Sequence, residues 1–119
     1  MANGTVEIWH NPRCSKSRAT LALLTGHGVE PVVRRYLDDP PTRAEIESAL
    51  AALGTDDPRA IARRSEVAFR AQGLVDADRD TVLDALAADP SLIERPFVRV
   101  GERAVLGRPP ENVLTLLGD

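Results

Sequence analysis

The sequence predicts an α/β domain that opens with a strand–helix–strand unit and closes with a strand–strand–helix unit. Residues 5–37 alternate between β-branched and helical patterns, and residues 97–106 hold two short β-like runs. Aromatic residues make up only 3% of the chain, so the core must rest on aliphatic side chains, which favours helices around a modest sheet. With 119 residues, of which 43% are hydrophobic, we expect one domain spanning residues 1–119.

The first unit lies before residue 38. Residues 5–9 (TVEIW) predict a strand that ends at the Asn11-Pro12 pair. Residues 15–26 carry apolar side chains at helical spacing and stop at a glycine, and residues 29–37 (VEPVVRRYL) predict a second strand. A strand, a helix and a strand within about thirty residues form a βαβ unit with parallel strands.

Helices are predicted in the middle of the chain. Thr42 and Glu45 form a capping-box pair at the start of RAEIESALAAL, and Gly54 closes that helix. Two further helical segments are expected at residues 58–64 and 80–88. Together these segments form a helical insertion between the two β-containing units.

In the last third of the chain the sequence pattern changes from helical to strand-like. Residues 97–100 and 103–106 are separated only by Gly101-Glu102, which predicts an antiparallel hairpin, and residues 109–117 predict a final helix. A parallel pair plus this hairpin makes a mixed four-stranded sheet, so the element order predicts a thioredoxin-like fold with a helical insertion. The Arg95-Pro96 bond precedes the hairpin, where Pro96 is a candidate cis proline; the ordinary alternative is a trans proline that opens a strand.

Composition excludes several classes of function. The net charge is −3, which does not favour nucleic-acid binding, and no apolar run is long enough to cross a membrane. The first residues lack the pattern of a signal peptide, and a single cysteine cannot form an internal disulfide. We therefore expect a cytoplasmic protein that binds neither nucleic acid nor membrane.

The only cysteine, Cys14, lies where the first strand gives way to the first helix. A sulfur at a helix N-terminus faces unpaired backbone N–H groups, which stabilise a thiolate. Basic and hydroxyl side chains flank it in the sequence: Arg13, Ser15, Lys16, Ser17 and Arg18. Such surroundings are typical of a nucleophilic cysteine; the alternative, a small buried hydrophobic residue, fits these polar neighbours poorly.

Two known types of cysteine site do not match. Ser17 stands where a CxxC motif has its second cysteine, so Cys14 cannot close a local disulfide and needs an external thiol. Thr20 stands where a CxxxxxR phosphatase loop has its arginine. The sequence also lacks a glycine-rich phosphate loop and a His/Cys ligand cluster, so we expect no metal and no bound cofactor.

Four motifs in order resemble the ArsC family, the glutaredoxin-coupled arsenate reductases. They are HNPRCSKSR, LDDPP, IERP at residues 93–96 and GRPPE at residues 107–111, and the resemblance covers nearly the whole chain. It implies a thioredoxin-like fold, one nucleophilic cysteine and three arginines that bind an oxyanion. Guanidinium groups suit that task because they bind charged oxygens through two N–H donors at once.

The resemblance also implies residue roles. Cys14 corresponds to the nucleophile and His10 to a histidine that supports the thiolate, and Ser17 is expected in the same catalytic group. The three arginines that bind substrate are Arg63, Arg95 and Arg108. Arg64 stays an alternative to Arg63, because the match is uncertain by one position.

The implied activity is the reduction of arsenate to arsenite. Glutathione or another low-molecular-weight thiol would act as co-substrate, and a glutaredoxin-like reductase would be the partner. Two alternatives stay open: a glutathione-dependent thiol transferase of the ArsC-like group, and a Spx-like transcriptional regulator. Members of the regulator group commonly carry a CxxC switch, so Ser17 counts against that alternative. Whether arsenate or another oxidised compound is the substrate also stays open.

Overall fold

The computed structural model describes residues 5–117, and its centre is a four-stranded sheet in the order β2-β1-β3-β4. The strands are β1 (Val6–Trp9), β2 (Val32–Arg34), β3 (Phe97–Val100) and β4 (Arg103–Leu106). β1 runs parallel to β2 and antiparallel to β3, and β3 runs antiparallel to β4. The mixed sheet and thioredoxin-like fold predicted from the sequence are confirmed.

Two helices follow the sequence prediction closely. α1 (Ser15–Gly26) begins directly after Cys14 and ends at the predicted glycine. α2 (Arg43–Leu53) has the predicted capping box, in which the Glu45 N–H donates to Thr42 Oγ1 at 3.1 Å and the Thr42 N–H donates to Glu45 Oε1 at 2.9 Å. Gly54 ends α2 with a φ of 86°, a conformation that glycine adopts without strain.

The second strand is much shorter than predicted. Only Val32–Arg34 pair with β1, because Pro31 has no N–H to contribute and the backbone turns at Arg35. The N–H groups of Asp38 and Asp39 both donate to the Arg35 carbonyl at 2.9 Å, which closes that turn. Tyr36 therefore leaves the sheet, and its side chain is buried.

The helical insertion also differs in detail. Residues 58–64 form a 3₁₀ turn only at Pro58–Ile61, because Ala62 then makes an isolated antiparallel bridge to Ile93. α3 (Val67–Ala71) and the 3₁₀ turn Pro90–Leu92 were not predicted. α4 (Arg79–Ala88) begins one residue earlier than predicted. The final helix begins as a 3₁₀ turn, Pro110–Val113, and continues as α5 (Leu114–Leu117).

The core lies on both faces of the sheet, because successive strand residues point to opposite sides. Trp9 and Phe97 face the helical insertion, with ring centroids 4.5 Å apart, and Ile8 and Val98 pack with α1 and the C-terminal segment. Among residues 5–117, no helix has the length and apolar character needed to span a bilayer.

Candidate active site

Strand direction brings four segments to one edge of the sheet. β1 ends at Trp9, which pairs with Arg34 at the end of β2. Phe97, the first residue of β3, pairs with Trp9 and with Leu106, the last residue of β4. The loops after β1, β2 and β4 and the segment before β3 therefore meet at this edge. These segments carry Cys14, Tyr36, Arg95 and Arg108.

Cys14 is the N-cap residue of α1, with extended backbone angles (φ −96°, ψ 124°). Its N–H donates to the Asn11 carbonyl at 3.0 Å, and its own carbonyl accepts the Arg18 N–H at 3.0 Å. The residue is partly exposed. The sulfur therefore lies at the start of a helix and within reach of solvent, as a nucleophile requires.

Opposing effects act on the Cys14 thiol, and the net result lowers its pKa. Burial works to raise the pKa, but the Ser17 N–H, the charge of Arg95 and the Lys16 N–H all stabilise the thiolate and together outweigh burial. Two backbone donors and one guanidinium thus activate the sulfur.

His10 and Ser17 form a buried pair next to this thiol. Ser17 lies in α1 and is fully buried, and His10 follows β1 with 7% of its surface exposed. The His10 ring and the Ser17 hydroxyl share a hydrogen bond of 2.7 Å, and the hydroxyl accepts the Asn11 N–H at 3.0 Å. The pair therefore joins the loop before Cys14 to the first turn of α1.

Arg95 and Arg108 lie together at the same edge. An Arg108 Nη1–H donates to the Arg95 carbonyl at 3.2 Å, and both peptide bonds that follow these arginines, Arg95-Pro96 and Arg108-Pro109, are cis. The Arg95 side chain is 16% exposed, and its Nε finds no hydrogen-bond partner among residues 5–117. A largely buried guanidinium whose Nε donor is unused, next to a thiol of lowered pKa, is suited to bind an anion there.

The comparison with known protein families gives the same assignment as the motifs. Residues 9–116 match the model of the ArsC family. The chain belongs to the ArsC family. The resemblance found in the four motifs is thereby confirmed.

Relatives in the ArsC family match almost the whole chain. The arsenate reductase of Haemophilus influenzae is 40% identical over 115 residues, covering 95% of this chain and 99% of that protein. The arsenate reductase of Rhizobium meliloti is 45% identical over 117 residues, covering 97% of this chain and 83% of that protein. The solved structure of the arsenate reductase from Vibrio cholerae is 42% identical with a TM-score of 0.91, covering 95% and 98% of the two chains.

Arg63, predicted as the first oxyanion ligand of this ArsC-family chain, has other partners in the structure. Its guanidinium lies 3.1 Å from a Glu66 carboxylate oxygen and donates to the Ser91 carbonyl at 3.4 Å. It is not among the groups that lower the Cys14 pKa. Arg64 is exposed. The structure thus places Arg95 beside Cys14 and pairs Arg63 with Glu66, and the roles of Arg63 and Arg64 stay predictions.

The sequence reasoning missed Tyr36. The residue is 1% exposed, and burial raises the pKa of its hydroxyl to about 12. The charges of Arg95 and Arg63 lower that pKa, whereas those of Cys14 and Glu94 raise it, so the hydroxyl lies within electrostatic range of these four groups. The prediction of a strand over residues 29–37 concealed the position of Tyr36 near Cys14 and Arg95, because it assigned Tyr36 to the sheet instead of to the loop after β2.

Glu94 was also missed, although it lies inside the IERP motif. Its carboxylate is 3.0 Å from an Arg95 guanidinium nitrogen. An acidic residue directly before Arg95, a predicted oxyanion ligand, was the available sequence signal.

Proposed function

We propose that this chain is an arsenate reductase in which the Cys14 thiolate attacks arsenate, with glutathione and a glutaredoxin-like reductase completing the reaction. The observation that carries the proposal is the partly exposed thiol of lowered pKa beside the Arg95 guanidinium. The names of the Haemophilus influenzae and Rhizobium meliloti relatives, both arsenate reductases, support arsenate as the substrate.

The first step is a condensation without electron transfer. The Cys14 sulfur attacks arsenic, an S–As bond forms, and one arsenate oxygen leaves as water after taking two protons. Arg95 and Arg108 offset the negative charge on the remaining oxygens through their N–H donors. Arg63 is expected to complete this binding once its ion pair with Glu66 opens, and Arg64 is the alternative.

The second stage needs a thiol from outside the chain, because Ser17 stands where a second cysteine would be. Glutathione displaces a further water from arsenic and forms a second S–As bond. The glutaredoxin-like thiolate then attacks the glutathione sulfur, and the electron pair of that S–As bond stays on arsenic, which changes from As(V) to As(III). Water finally displaces Cys14 and releases arsenite.

A cavity of about 230 Å³ beside the Cys14 loop supports the use of an external thiol. It lies between the loop from His10 to Arg13 and the turn from Arg35 to Asp38. Arg13 supplies positive charge for the carboxylates of glutathione, which approaches Cys14 from this side in the proposal, whereas Arg35 is paired with Asp38 at 3.6 Å across the same cavity.

Arsenite release tests the proposal when each reductant is supplied in turn. We expect sustained release with glutathione plus glutaredoxin, none with thioredoxin alone, and none from Cys14→Ser under any condition. Intact-mass measurement should detect a glutathione adduct on Cys14 during turnover. Steady release with thioredoxin alone would contradict the external-thiol mechanism, and no release with any thiol would favour a thiol transferase or a regulator.

A further inference from the structure

One carboxylate oxygen occupies the space between the two arginines of the site. Glu94 Oε1 lies 3.0 Å from Arg95 Nη1 and 3.8 Å from Arg108 Nε. The Arg95 backbone N–H donates to the same oxygen at 3.3 Å. A single oxygen therefore accepts hydrogen bonds from two N–H groups of Arg95 and lies within ion-pair distance of Arg108, which is an environment that suits an oxygen of a tetrahedral oxyanion.

The backbone around Glu94 holds this arrangement in position. The Glu94 N–H donates to the Ile61 carbonyl at 2.7 Å, and the preceding residue, Ile93, is bridged to Ala62. The Glu94 side chain is only 23% exposed, and those of Arg95 and Arg108 are 16% and 34% exposed. Because the three side chains are partly withdrawn from solvent, their charges interact more strongly than on an open surface.

We propose that Glu94 is an internal competitor that occupies the oxyanion position between Arg95 and Arg108 in the free protein. This inference rests on the proposed function in taking an oxyanion as the substrate. Any incoming oxyanion must displace the carboxylate or bind beside a like charge, and either event weakens binding. Glu94 thus limits the affinity of the site for oxyanions and does not itself react.

Competition of this kind weakens the first contact of every oxyanion with the two arginines. Sulfate and phosphate can only exchange places with Glu94, so their binding stays weak. Arsenate binding is weakened to the same degree in its first contact, but the S–As bond to Cys14 then retains arsenate as water leaves. Retention therefore comes from the covalent bond, whereas Glu94 sets how weakly every oxyanion binds before that bond forms.

Sulfate is the probe for this inference, because it binds as an oxyanion without reacting. We would measure alkylation of Cys14 by iodoacetamide as sulfate replaces chloride at constant ionic strength. For each variant, the alkylation rate with sulfate is divided by the alkylation rate without sulfate. This ratio reports sulfate bound near Cys14, and a change in thiol reactivity caused by the substitution itself cancels. We expect Glu94→Gln to lower the Kd for sulfate about tenfold, because the amide keeps the shape and removes the charge.

Glu102→Gln is the matched control, since Glu102 is exposed in the β3–β4 turn, at the other end of the hairpin. It should leave the sulfate Kd unchanged. Glu94→Asn removes the same charge with a shorter amide and should also tighten sulfate binding, which keeps the test informative if Glu94→Gln unfolds. Unchanged or weaker sulfate binding in folded Glu94 variants would overturn the inference.

This measurement is separate from arsenate turnover. Tighter sulfate binding in Glu94→Gln would support the role of Glu94 even if neither protein released arsenite, in which case only the proposed function would fail. Arsenite release with no change in sulfate binding would leave the proposed function standing and reject the role of Glu94.

Discussion

The Nδ1 atom of His10 lies 2.7 Å from the hydroxyl oxygen of Ser17. Burial lowers the pKa of His10, and the charges of Arg35 and Arg18 lower it further, so the ring is neutral near pH 7. His10 therefore contributes a hydrogen bond, not a positive charge, to this part of the site. By holding Ser17, it keeps the Ser17 N–H directed at the Cys14 sulfur.

The lowered pKa of His10 predicts a loss of stability in mild acid. The unfolded chain takes up a proton on this ring near its ordinary pKa of about 6.5, whereas the folded protein resists protonation until a lower pH. The free energy of unfolding should therefore fall as the pH drops below about 6.5. Denaturant titrations from pH 7.5 down to about pH 5 would measure this change in the free energy of unfolding. His10→Gln should lessen this dependence and His27→Gln, at the exposed histidine, should not; equal slopes in both variants would contradict the prediction.

Removing the charge of Arg95 should raise the pKa of Cys14. The backbone N–H groups of Ser17 and Lys16 remain in Arg95→Gln, so the thiol should stay partly activated while losing the contribution of the guanidinium. The rate of alkylation against pH gives the thiol pKa directly. Arg70→Gln, at an exposed arginine of α3, is the control that should not move it. A Cys14 pKa at or above that of a free thiol in the native protein would remove the activated-nucleophile interpretation.

Lysine should not restore the function of either arginine proposed to bind the oxyanion. Arg95→Lys and Arg108→Lys keep a positive charge but lose the planar pair of N–H donors, so kcat/KM for arsenate should fall about tenfold or more. Thermal unfolding should change little, because both side chains are at an edge of the sheet and not in the core. A loss of stability with unchanged arsenate turnover would indicate that these arginines are structural.

Tyr36 is the only tyrosine, so the ultraviolet absorbance of its phenolate can be followed without interference from another tyrosine. Burial raises its pKa to about 12, and we expect the native protein to titrate there and not near 10. Because the unfolded chain releases this proton first, the free energy of unfolding should fall as the pH rises from about 10 to about 12. Tyr36→Phe should flatten that alkaline decline. Titration of the native protein near 10 would show that the hydroxyl is exposed.

A methyl group at Gly107 should disturb the site through packing. A Cβ there would lie 2.5 Å from Thr20 Oγ1 and 2.8 Å from Pro96 Cγ, so α1 or the segment before β3 must move. Gly107→Ala should lower the free energy of unfolding by about 1–3 kcal/mol. Gly26→Ala, where a Cβ meets nothing within 4 Å, is the control and should not lower stability comparably. Denaturant titration compares the two; equal stabilities would contradict the close approach.

Local signals in the sequence were enough to predict the elements that are stabilised locally. The capping box of Thr42 and Glu45 and the glycine turn at Gly101 correspond to short-range hydrogen bonds or backbone angles, so pattern alone indicated them. The end of β2 was predicted incorrectly because its partner strand and the turn at Arg35 decide it. α3, only five residues long, has too few residues for a periodic pattern.

In the site, too, local sequence patterns predicted some residues and could not predict those that depend on distant parts of the chain. Cys14 could be predicted from its position at the strand-to-helix junction, and Arg95 and Arg108 from motifs. The direction of a side chain could not be predicted, as the pairing of Arg63 with Glu66 illustrates. Tyr36 belongs to the site only through a turn that is distant in sequence from Cys14, and single-residue patterns contain no information about such proximity.

The central position of β1 has a consequence for biosynthesis. Val6 pairs with Val100, so the first strand stays without its antiparallel neighbour until Val100 has been translated. A nascent chain therefore exposes Cys14 long before Arg95 and Arg108 can reach it, and at that stage the sulfur lacks the charge that activates it. The guanidinium part of the activation is therefore added only when β3 and β4 join the sheet, whereas the backbone N–H groups of Ser17 and Lys16 act as soon as α1 forms.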